Sequence, residues 1–352
     1  MAEHHWLFSK NPGNDFTRQH LGKLSFYDTM RLIISMGKGS TNDEIMDYFD
    51  LDPDLIPSQS AFCQRRRQIS LSAFEYLFSE FSSSFPSTTD KFKDHCILAC
   101  DGCHVVYATN SDIIEDYNKP RLIDYKGYNH MHLNGFVDVI SKAFLDVVIQ
   151  PGQQPDEREA LHSMLDHFTP DDPQKYIITA DRGYESYDLL FHCELKNLGY
   201  VFRVKSPSSP KSILSYYASE LPDDLEEFDV TIKRFFTDKA TNIMKSQSDV
   251  YRYINPSKNT PHFYELLRKN RSHLYFLQFR VVKIKTAENT YEYLITNLPF
   301  SFTLDDIREC YHWRWGIEIS FRYLKHAAGL LYFHSKQPEF LKQEIYSRLI
   351  LY

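Results

Sequence analysis

Long apolar runs are missing from this sequence of 352 residues. A membrane-spanning helix needs roughly 18 consecutive apolar residues, and no stretch approaches that length, so we expect no membrane partner. The first residues, MAEHHWLFSKNPGNDF, also lack the basic and then apolar pattern of a secretory signal. We therefore expect a cytoplasmic protein.

Cysteine is sparse, and internal repeats and low-complexity tracts are absent. Six cysteines in a chain of this length do not resemble a disulfide framework. Three of them, Cys96, Cys100 and Cys103, have a spacing used by some iron–sulfur enzymes, which leaves an iron–sulfur radical enzyme as an alternative function. They lie in a β-favouring run, where Cys96 and Cys100 share a face about 13 Å apart and Cys103 points the other way. The sequence therefore predicts small buried thiols.

An excess of positive charge, usual in nucleic-acid-binding domains, is missing too, because the net charge is −7. The charge is unevenly distributed along the chain. Residues 231–290 contain twelve Lys and Arg against four Asp and Glu, a local +8 that leaves the remainder near −15. Such a basic module can bind phosphate inside an acidic chain. An ordinary solvated surface is an equally weighted alternative.

The sequence does contain many apolar and aromatic residues, 42% and 15%, which predict a well-filled core. Residues 1–90 are interpreted as a helical N-terminal DNA-binding region. Ser25 is placed to cap a first helix, and Ser58 to cap a third. Thr41 and Glu44 predict a capping box for the second helix.

The third predicted helix carries consecutive arginines. A helix, a tight turn and a helix with Arg65, Arg66 and Arg67 suit a helix-turn-helix-like DNA contact. Neighbouring residues point about 100° apart on a helix, so only one or two of the three face a groove. DNA contact through these arginines is therefore weighed evenly against a plain charged surface.

Residues 91–206 alternate strands and helices. The β-favouring runs 96–107 and 129–150, the second divided near Ser141, predict three strands of an antiparallel meander. After them come a helix at about 155–168, a strand at 176–181, a helix at 186–199 and a strand at 200–205. This strand–helix–strand order implies a parallel crossover.

Residues 207–300 differ from the preceding segment in composition and predict a mostly β insertion. Its strand-like runs lie at 228–236, 249–254, 274–285 and 291–296. Residues 301–352 begin with a long helix, for which Thr303 and Asp306 form the cap and which reaches at least His326. The chain then stops at Tyr352 within an apolar-periodic segment, from which we expect a truncated C-terminal helical part and a shortened reading frame.

A polar stripe on this long helix is the most specific feature of the sequence. Tyr311, Arg314, Glu318 and Lys325 fall within an arc of about 60° at about 100° per residue, so they project from one side. Bulky apolar residues surround the stripe and predict a helix buried on much of its circumference: Trp313, Trp315, Ile317, Phe321 and Leu324. A buried carboxylate flanked by cations is a site candidate, whereas a salt-bridged solvent face is the commoner alternative.

The pattern Tyr-x2-Arg-x3-Glu-x6-Lys resembles the signature of bacterial insertion-sequence transposases of the YREK type, the IS-four family of DDE transposases. Two acidic motifs precede it in the family's order, ACDGCHV with Asp101 and ITADRGYES with Asp181. The resemblance extends over about residues 16–352. It implies an α/β fold: an RNase H-like mixed sheet with flanking helices, interrupted by a mostly β insertion and preceded by a helical region. Family members usually continue into further helices, which this chain lacks.

The resemblance implies that Asp101, Asp181 and Glu318 are catalytic and hold two Mg²⁺ ions, with Mn²⁺ as a substitute. Mg²⁺ prefers hard oxygen ligands, so a few carboxylates converging from different elements suffice. Taken alone, Asp101 and Asp181 each suit a strand-ending turn; their joint occurrence with Glu318 favours the catalytic interpretation. His130 and His132 share a strand face and are interpreted as ordinary polar positions.

The same resemblance implies DNA partners and a reaction. Tyr311, Arg314 and Lys325 would contact phosphates of double-stranded DNA at the transposon's inverted repeats, within a homodimer that also binds target DNA. The implied function is cut-and-paste transposition, in which the element's ends are cleaved and a 3′-hydroxyl is joined to target DNA. A truncated or decayed transposase that binds DNA without catalysis is the alternative, because the chain ends abruptly.

Overall fold

The computed structural model of the chain describes residues 2–16, 24–84, 91–120, 126–239, 241–255 and 260–352. The strands are β1 Cys96–Tyr107, β2 Tyr117–Asn118, β3 Tyr128–Asp138, β4 Ala143–Pro151, β5 Tyr176–Ala180, β6 Gly199–Val204, β7 Phe228–Thr237, β8 Tyr251–Tyr253, β9 Leu274–Ala287 and β10 Thr290–Thr296. The α-helices are α1 Phe26–Ser35, α2 Thr41–Tyr48, α3 Gln59–Gln68, α4 Leu71–Ser84, α5 Glu157–His167, α6 Tyr187–Lys196, α7 Asn242–Ser246, α8 Pro261–Lys269, α9 Leu304–Trp313, α10 Trp315–His326 and α11 Pro338–Leu351. None of the helices in these ranges has the length and apolar character needed to cross a membrane.

The ten strands form one mixed sheet. Its order is β2-β3-β1-β5-β6-β10-β9-β7-β8, and β4 also pairs with β3. The predicted antiparallel meander is confirmed, since β1 pairs antiparallel with β3 and β3 with β4. The predicted crossover is confirmed too: β5 and β6 are parallel neighbours joined by α6, and β5 is also parallel to β1.

The strands of residues 207–300 belong to this same sheet. β10 pairs antiparallel with β6, β9 with β10, and β7 with β9. The segment predicted as a β-rich insertion therefore widens the core sheet at one edge. It also contains α7 and α8, which the sequence analysis did not predict.

Alternate residues of β1 face two different apolar cores. Ile97 and Ala99 belong to one buried cluster, whereas Leu98 and Cys100 belong to the other, as the two-residue period of a strand requires. The first cluster includes residues of α1, α9, α10 and α11, and the second includes residues of α5, α6 and α8. Helices thus cover both faces of the sheet, which explains why β1 is a nearly continuous apolar run.

The N-terminal helices pack against the C-terminal one. Both α1 and α4 contact α11. The guanidinium of Arg66 on α3 donates to the Glu344 carboxylate at 2.8 Å and to the Gln343 side chain at 3.0 Å. It also donates to the Phe340 carbonyl at 2.7 Å. A buried ion pair therefore joins the first helical region to α11.

The helix N-caps of the N-terminal region agree with those predicted from the sequence, with one exception. Ser25 and Ser58 cap α1 and α3, which confirms both predictions. The capping box of the second helix was predicted one residue too late, because Ser40 and not Thr41 is the N-cap. Glu44 instead accepts hydrogen bonds from two backbone N–H groups of the preceding turn.

Candidate active site

Two aspartates lie side by side where parallel strands β1 and β5 end their pairing. Cys100 is opposite Ala180 in the register, and Asp101 and Asp181 are the next residues. Adjacent strands are about 4.8 Å apart, so the two side chains start from neighbouring positions. The Asp101 carboxylate accepts the N–H of the next residue at 2.8 Å, and the Asp181 carboxylate accepts that of Gly183 at 2.7 Å.

The helical segment that carries Glu318 is divided in two. Thr303 and Asp306 form the capping box of α9, as predicted. The single long helix that was predicted is interrupted at Arg314, which lies between α9 and α10 with φ −50° and ψ −35°. The tryptophans on either side, Trp313 and Trp315, are 39% and 50% exposed. Their predicted burial was wrong, since both side chains remain open to solvent.

The close approach of α10 to β1 depends on a glycine. Gly135 is the β3 residue opposite Asp101, and a Cβ at Gly135 would lie 3.1 Å from the ring of Phe321 on α10. Because that space holds the Phe321 ring, α10 packs directly against β1, the strand that carries Asp101. The predicted burial of three other apolar positions is confirmed, namely Ile317, Phe321 and Leu324.

The guanidinium of Arg314 joins the acids of the strand and the helix. It lies 3.1 Å from a carboxylate oxygen of Glu318 and 3.5 Å from one of Asp101. Arg314 is buried, with 5% of its side chain exposed, whereas 38% of the Glu318 side chain is exposed. The structure therefore brings Glu318 and Asp101 to the same cation, with the Glu318 carboxylate open to solvent.

The other two residues of the polar stripe also lie close to this site. Tyr311 is buried, and its ring centroid is 5.6 Å from the Arg314 guanidinium carbon. Lys325 is half-buried beside Cys103 of β1. Burial raises the pKa of the Cys103 thiol to about 11, and the nearby Lys325 ammonium opposes that shift. The stripe thus faces β1 instead of forming an isolated salt-bridged surface.

The pKa of Asp101 is set mainly by burial, with a smaller contribution from neighbouring carboxylates. Burial raises the pKa of its carboxyl to about 6, against the Gly102 N–H hydrogen bond and the Arg314 charge, which lower it. The carboxylates of Asp181 and Glu157 raise it further. A carboxyl with this pKa is held among other carboxylates that a bound cation would neutralise.

A fourth acid, which no sequence motif marked, lies close to both aspartates. Glu157 is in the first turn of α5. A Cβ at Gly102 would lie 2.8 Å from one of its carboxylate oxygens, and a Cβ at Gly183 would lie 3.5 Å from the other. His132 lies 3.0 Å from the Glu157 carboxylate. An acid in a first helical turn is usually explained by the helix dipole, so the sequence carried no distinguishing signal for Glu157.

The three arginines of α3 have different environments. Arg66 is 3% exposed and bound to α11, so its prediction as a DNA contact is corrected: it is an internal, structural residue. Arg65 is half-buried, donates to Gln68 at 3.1 Å and lies over the ring of Phe16. Arg67 is exposed. Of the three, Arg67 is the one whose guanidinium is most open to a partner.

The cysteines of β1 do not converge. Cys96, Cys100 and Cys103 occupy one continuous strand, with Cys96 and Cys100 buried and Cys103 half-buried. The predicted extended arrangement is confirmed, and it is incompatible with the wrapped loop that an iron–sulfur cluster needs.

The positive charge of residues 231–290 is partly neutralised inside the protein. Several of its cations pair with acids of the preceding segment, 220–229. The pairs are Arg234 with Glu220, Arg280 with Asp229, Lys283 with Asp223 and Lys285 with Glu226. The local charge excess therefore overstates the number of cations that are available to bind phosphate.

The domain is α/β, and its candidate site is a cluster of acids. Two of them lie where β1 and β5 end their pairing, and α10 supplies Glu318. Residues 92–352 match the model of a protein family described as "Transposase DDE domain". The chain belongs to this transposase DDE domain family. Comparison with the sequences of curated proteins gave no significant match.

Two solved structures resemble the chain at low similarity. One is the piggyBac transposase synaptic complex with hairpin DNA, at 11% identity and a TM-score of 0.45, covering 92% of this chain and 63% of that chain. The other is the Drosophila P element transposase strand transfer complex, at 11% identity and a TM-score of 0.29, covering 95% of this chain and 80% of that chain. This chain thus spans less than two thirds of the piggyBac transposase chain. Similarities at this level do not establish a shared fold, and family membership rests on the sequence match.

Proposed function

We propose that the chain is a DNA transposase of the YREK type, within the IS-four family, whose catalytic acids are Asp101, Asp181 and Glu318. The observation that supports this proposal is their arrangement. Two of these acids are adjacent across the β1–β5 pair, and the third shares a cation with the first. A cluster of acids in which burial and charged neighbours perturb a carboxyl pKa is a candidate functional site.

The proposed fold of the catalytic core is RNase H-like. The part of the sheet ordered β4-β3-β1-β5-β6 is an antiparallel meander followed by two parallel strands, with helices on both faces. This arrangement places the middle of β1 and the carboxyl end of β5 side by side within the sheet, and crevices at the carboxyl ends of strands are where α/β proteins bind ligands.

The residues of the cluster fit divalent cations. Asp101, Asp181 and Glu318 offer hard carboxylate oxygens, which are the ligands that Mg²⁺ prefers and that Mn²⁺ also accepts. Burial, and to a smaller extent the neighbouring Asp181 and Glu157 carboxylates, raise the pKa of Asp101, and a bound cation would stabilise its charged form. Two such ions, when bound, would stabilise charge on the entering and leaving oxygens of a phosphodiester.

The remaining groups of the site position these acids and the DNA. Arg314 fixes the Glu318 carboxylate relative to Asp101 through contacts of 3.1 and 3.5 Å. Since a guanidinium also binds phosphate oxygens bidentately, we propose that Arg314 contacts the DNA backbone together with Lys325 and Tyr311. His132 holds Glu157 next to the aspartates at 3.0 Å.

The proposed substrates are the inverted repeats at the ends of an insertion sequence and a target duplex. Cleavage by water would free a 3′-hydroxyl, and that hydroxyl would then attack target DNA. Two chains would act as a homodimer on the paired ends, at the nucleoid of a bacterial cytoplasm. The exposed Arg67 of α3 is proposed to contact the DNA outside the cleavage site.

A cleavage assay on end DNA tests the proposal. Asp101→Ala, Asp181→Ala and Glu318→Ala should each abolish Mg²⁺-dependent cleavage, because each removes a metal ligand. Each should retain binding in an electrophoretic mobility shift assay, because phosphate contacts supply most of the affinity. EDTA should stop cleavage by the unaltered protein, and Mg²⁺ or Mn²⁺ should restore it.

The matched control is Glu159→Ala, an exposed acid on the same helix as Glu157, which should cleave at the normal rate. Full cleavage by any of the three alanine variants would contradict the assignment. DNA binding by the unaltered protein without any cleavage would favour the alternative of a transposase that only binds DNA.

A further inference from the structure

Three histidines from three helices meet beneath the sheet face opposite α10. His162 lies on α5, His192 on α6 and His262 on α8, and a ring nitrogen of each lies within 4.8 Å of those of the other two. The His192 side chain is 2% exposed, and those of His162 and His262 are 12% and 13% exposed. The rings are stacked, with centroids 3.8 Å apart for His192 and His262 and 4.4 Å for His162 and His262.

Each ring has one nitrogen directed at a carboxylate. The Nε2 of His162 is 3.5 Å from Asp188, and the Nε2 of His192 is 3.2 Å from Asp166. The Nδ1 of His262 is 2.7 Å from the same Asp188, which is itself buried. A neutral imidazole has one N–H and one lone pair. With the N–H on the carboxylate side, the lone pair of each ring is on the nitrogen that faces away from its acid.

Two of these ring nitrogens also lie close to each other. The Nδ1 atoms of His162 and His192 are 2.9 Å apart, so without an ion one ring donates its Nδ1–H to the other. With both N–H groups on the carboxylate side, both Nδ1 atoms would instead carry lone pairs close together. A cation between the two rings would accept both lone pairs.

We propose that His162, His192 and His262 bind one divalent transition-metal ion of the Zn²⁺ class. Imidazole nitrogens suit Zn²⁺, whereas the oxygens of the acid cluster suit Mg²⁺. Histidine ligands of such ions usually donate their second nitrogen to a carboxylate, which is the pattern that Asp166 and Asp188 provide. Binding one ion would require the stacked rings to turn about their side-chain torsions until their free nitrogens point at it.

The location of this site suggests a structural role. Helices α5 and α6 belong to the part of the chain that contains Asp181, whereas α8 belongs to the 207–300 segment. The ion would tie α8 to the other two helices. It would also fix the position of α5, the helix whose first turn holds Glu157 beside the aspartates.

Metal binding by the full chain tests the proposal. The protein carries Asp101→Ala, Asp181→Ala and Glu318→Ala, so the acid cluster cannot contribute ligands, and it is stripped with EDTA. It is then dialysed against ZnCl₂ and analysed by mass spectrometry of the metal. We expect one Zn²⁺ per chain and a rise in melting temperature with Zn²⁺ alone. No retained Zn²⁺ would overturn the proposal and would leave the proposed transposase activity unaffected.

Ligand variants in the same background locate the ion. His162→Gln and His262→Gln should lose the bound Zn²⁺ and the rise in melting temperature. Asp166→Asn, at a side chain 62% exposed, should weaken Zn²⁺ binding by about 10- to 100-fold. His167→Gln is the matched control, because His167 lies on the same helix with 69% of its side chain exposed, and it should bind Zn²⁺ normally. Retention of Zn²⁺ by both glutamine variants at His162 and His262 would overturn the proposal.

Discussion

Glu157 shows how a residue without a sequence motif becomes part of a site. Its carboxylate lies near Gly102 and Gly183, the glycines that come shortly after the two aspartates. It also lies 3.0 Å from a ring nitrogen of His132. We expect Glu157→Gln to slow cleavage of end DNA by about 10- to 100-fold, as for partners that orient metal ligands. Single-turnover cleavage rates measure this. The control Glu159→Gln changes an exposed acid of the same helix, and equal rates for the two variants would argue against a role for Glu157.

The pKa of Asp101 predicts a pH-dependent stability of the metal-free protein. Its pKa rises from 3.8 to about 6 on folding, so the folded state binds more protons between these values and loses stability as the pH rises through them. Asp101→Asn removes the disfavoured charge. In EDTA, the variant should therefore melt above the unaltered protein at pH 7.5, and the gain should shrink at pH 4.5. An equal difference in melting temperature at both pH values would contradict this explanation.

At the residue scale, the sequence predicted that Asp101 and Asp181 lie close together. Asp181 follows β5 and Asp101 lies within β1, next to the last residues that pair the two parallel strands. Glu157 and the three histidines could not be predicted in this way, because they meet only after helices from separate parts of the chain have packed. Arg66 shows the reverse. Its charge suggested an exposed side chain, but the side chain is buried and bound to partners on α11.

At the scale of elements, the packing of α10 on the sheet depends on the absence of a side chain at Gly135. A Cβ at Gly135 would lie 2.8 Å from the ring of Phe144 and 3.1 Å from that of Phe321. Gly135→Ala should therefore cost about 1–3 kcal/mol of unfolding free energy through overpacking. It should also lower the cleavage rate by displacing Glu318. Urea unfolding measures the first effect.

The control for that substitution is Gly13→Ala, since a Cβ at Gly13 would have no atom within 4 Å. Both substitutions change the unfolded chain in the same way, so their difference isolates the packing. Equal urea midpoints for the two variants would mean that α10 does not require the glycine.

The boundaries of the elements were predicted well where side-chain signals are local. Ser25, Ser58 and Thr303 cap helices where the sequence placed them. The interruption at Arg314 has no such signal, because Arg314 has helical φ and ψ and its contacts with two acids come from tertiary packing. The exposure of Trp315 likewise follows from which side of the helix meets the sheet.

At the scale of the whole molecule, one ion pair connects the first helices to the last. Arg66→Met would leave Glu344 buried without its guanidinium partner, and breaking a buried pair costs about 3–5 kcal/mol. Thermal unfolding should show a marked loss of stability. The control Arg67→Met, at an exposed neighbour, should change stability by less than about 0.5 kcal/mol. A similar melting temperature for both variants would contradict the structural role of Arg66.

The overall α/β class was predictable because strand and helix periodicities are local, whereas the sheet order was only partly so. The meander and the crossover connect consecutive strands, which usually pair. The pairing of β10 with β6 joins strands separated by the whole 207–289 segment, and no local pattern encodes it. The same holds for the ion pairs between residues 220–229 and the basic strands, which form across that segment.

Because β6 and β10 are neighbours, the polypeptide leaves the part of the sheet beside the acid cluster and returns to it at almost the same place. The segment between β6 and β10 begins and ends at neighbouring strands. Its length therefore does not determine how far Glu318 lies from Asp181. A longer or shorter segment between β6 and β10 would therefore leave the three acids in place. The spacing of the last two acids along a sequence is accordingly a poor guide to whether they share a site.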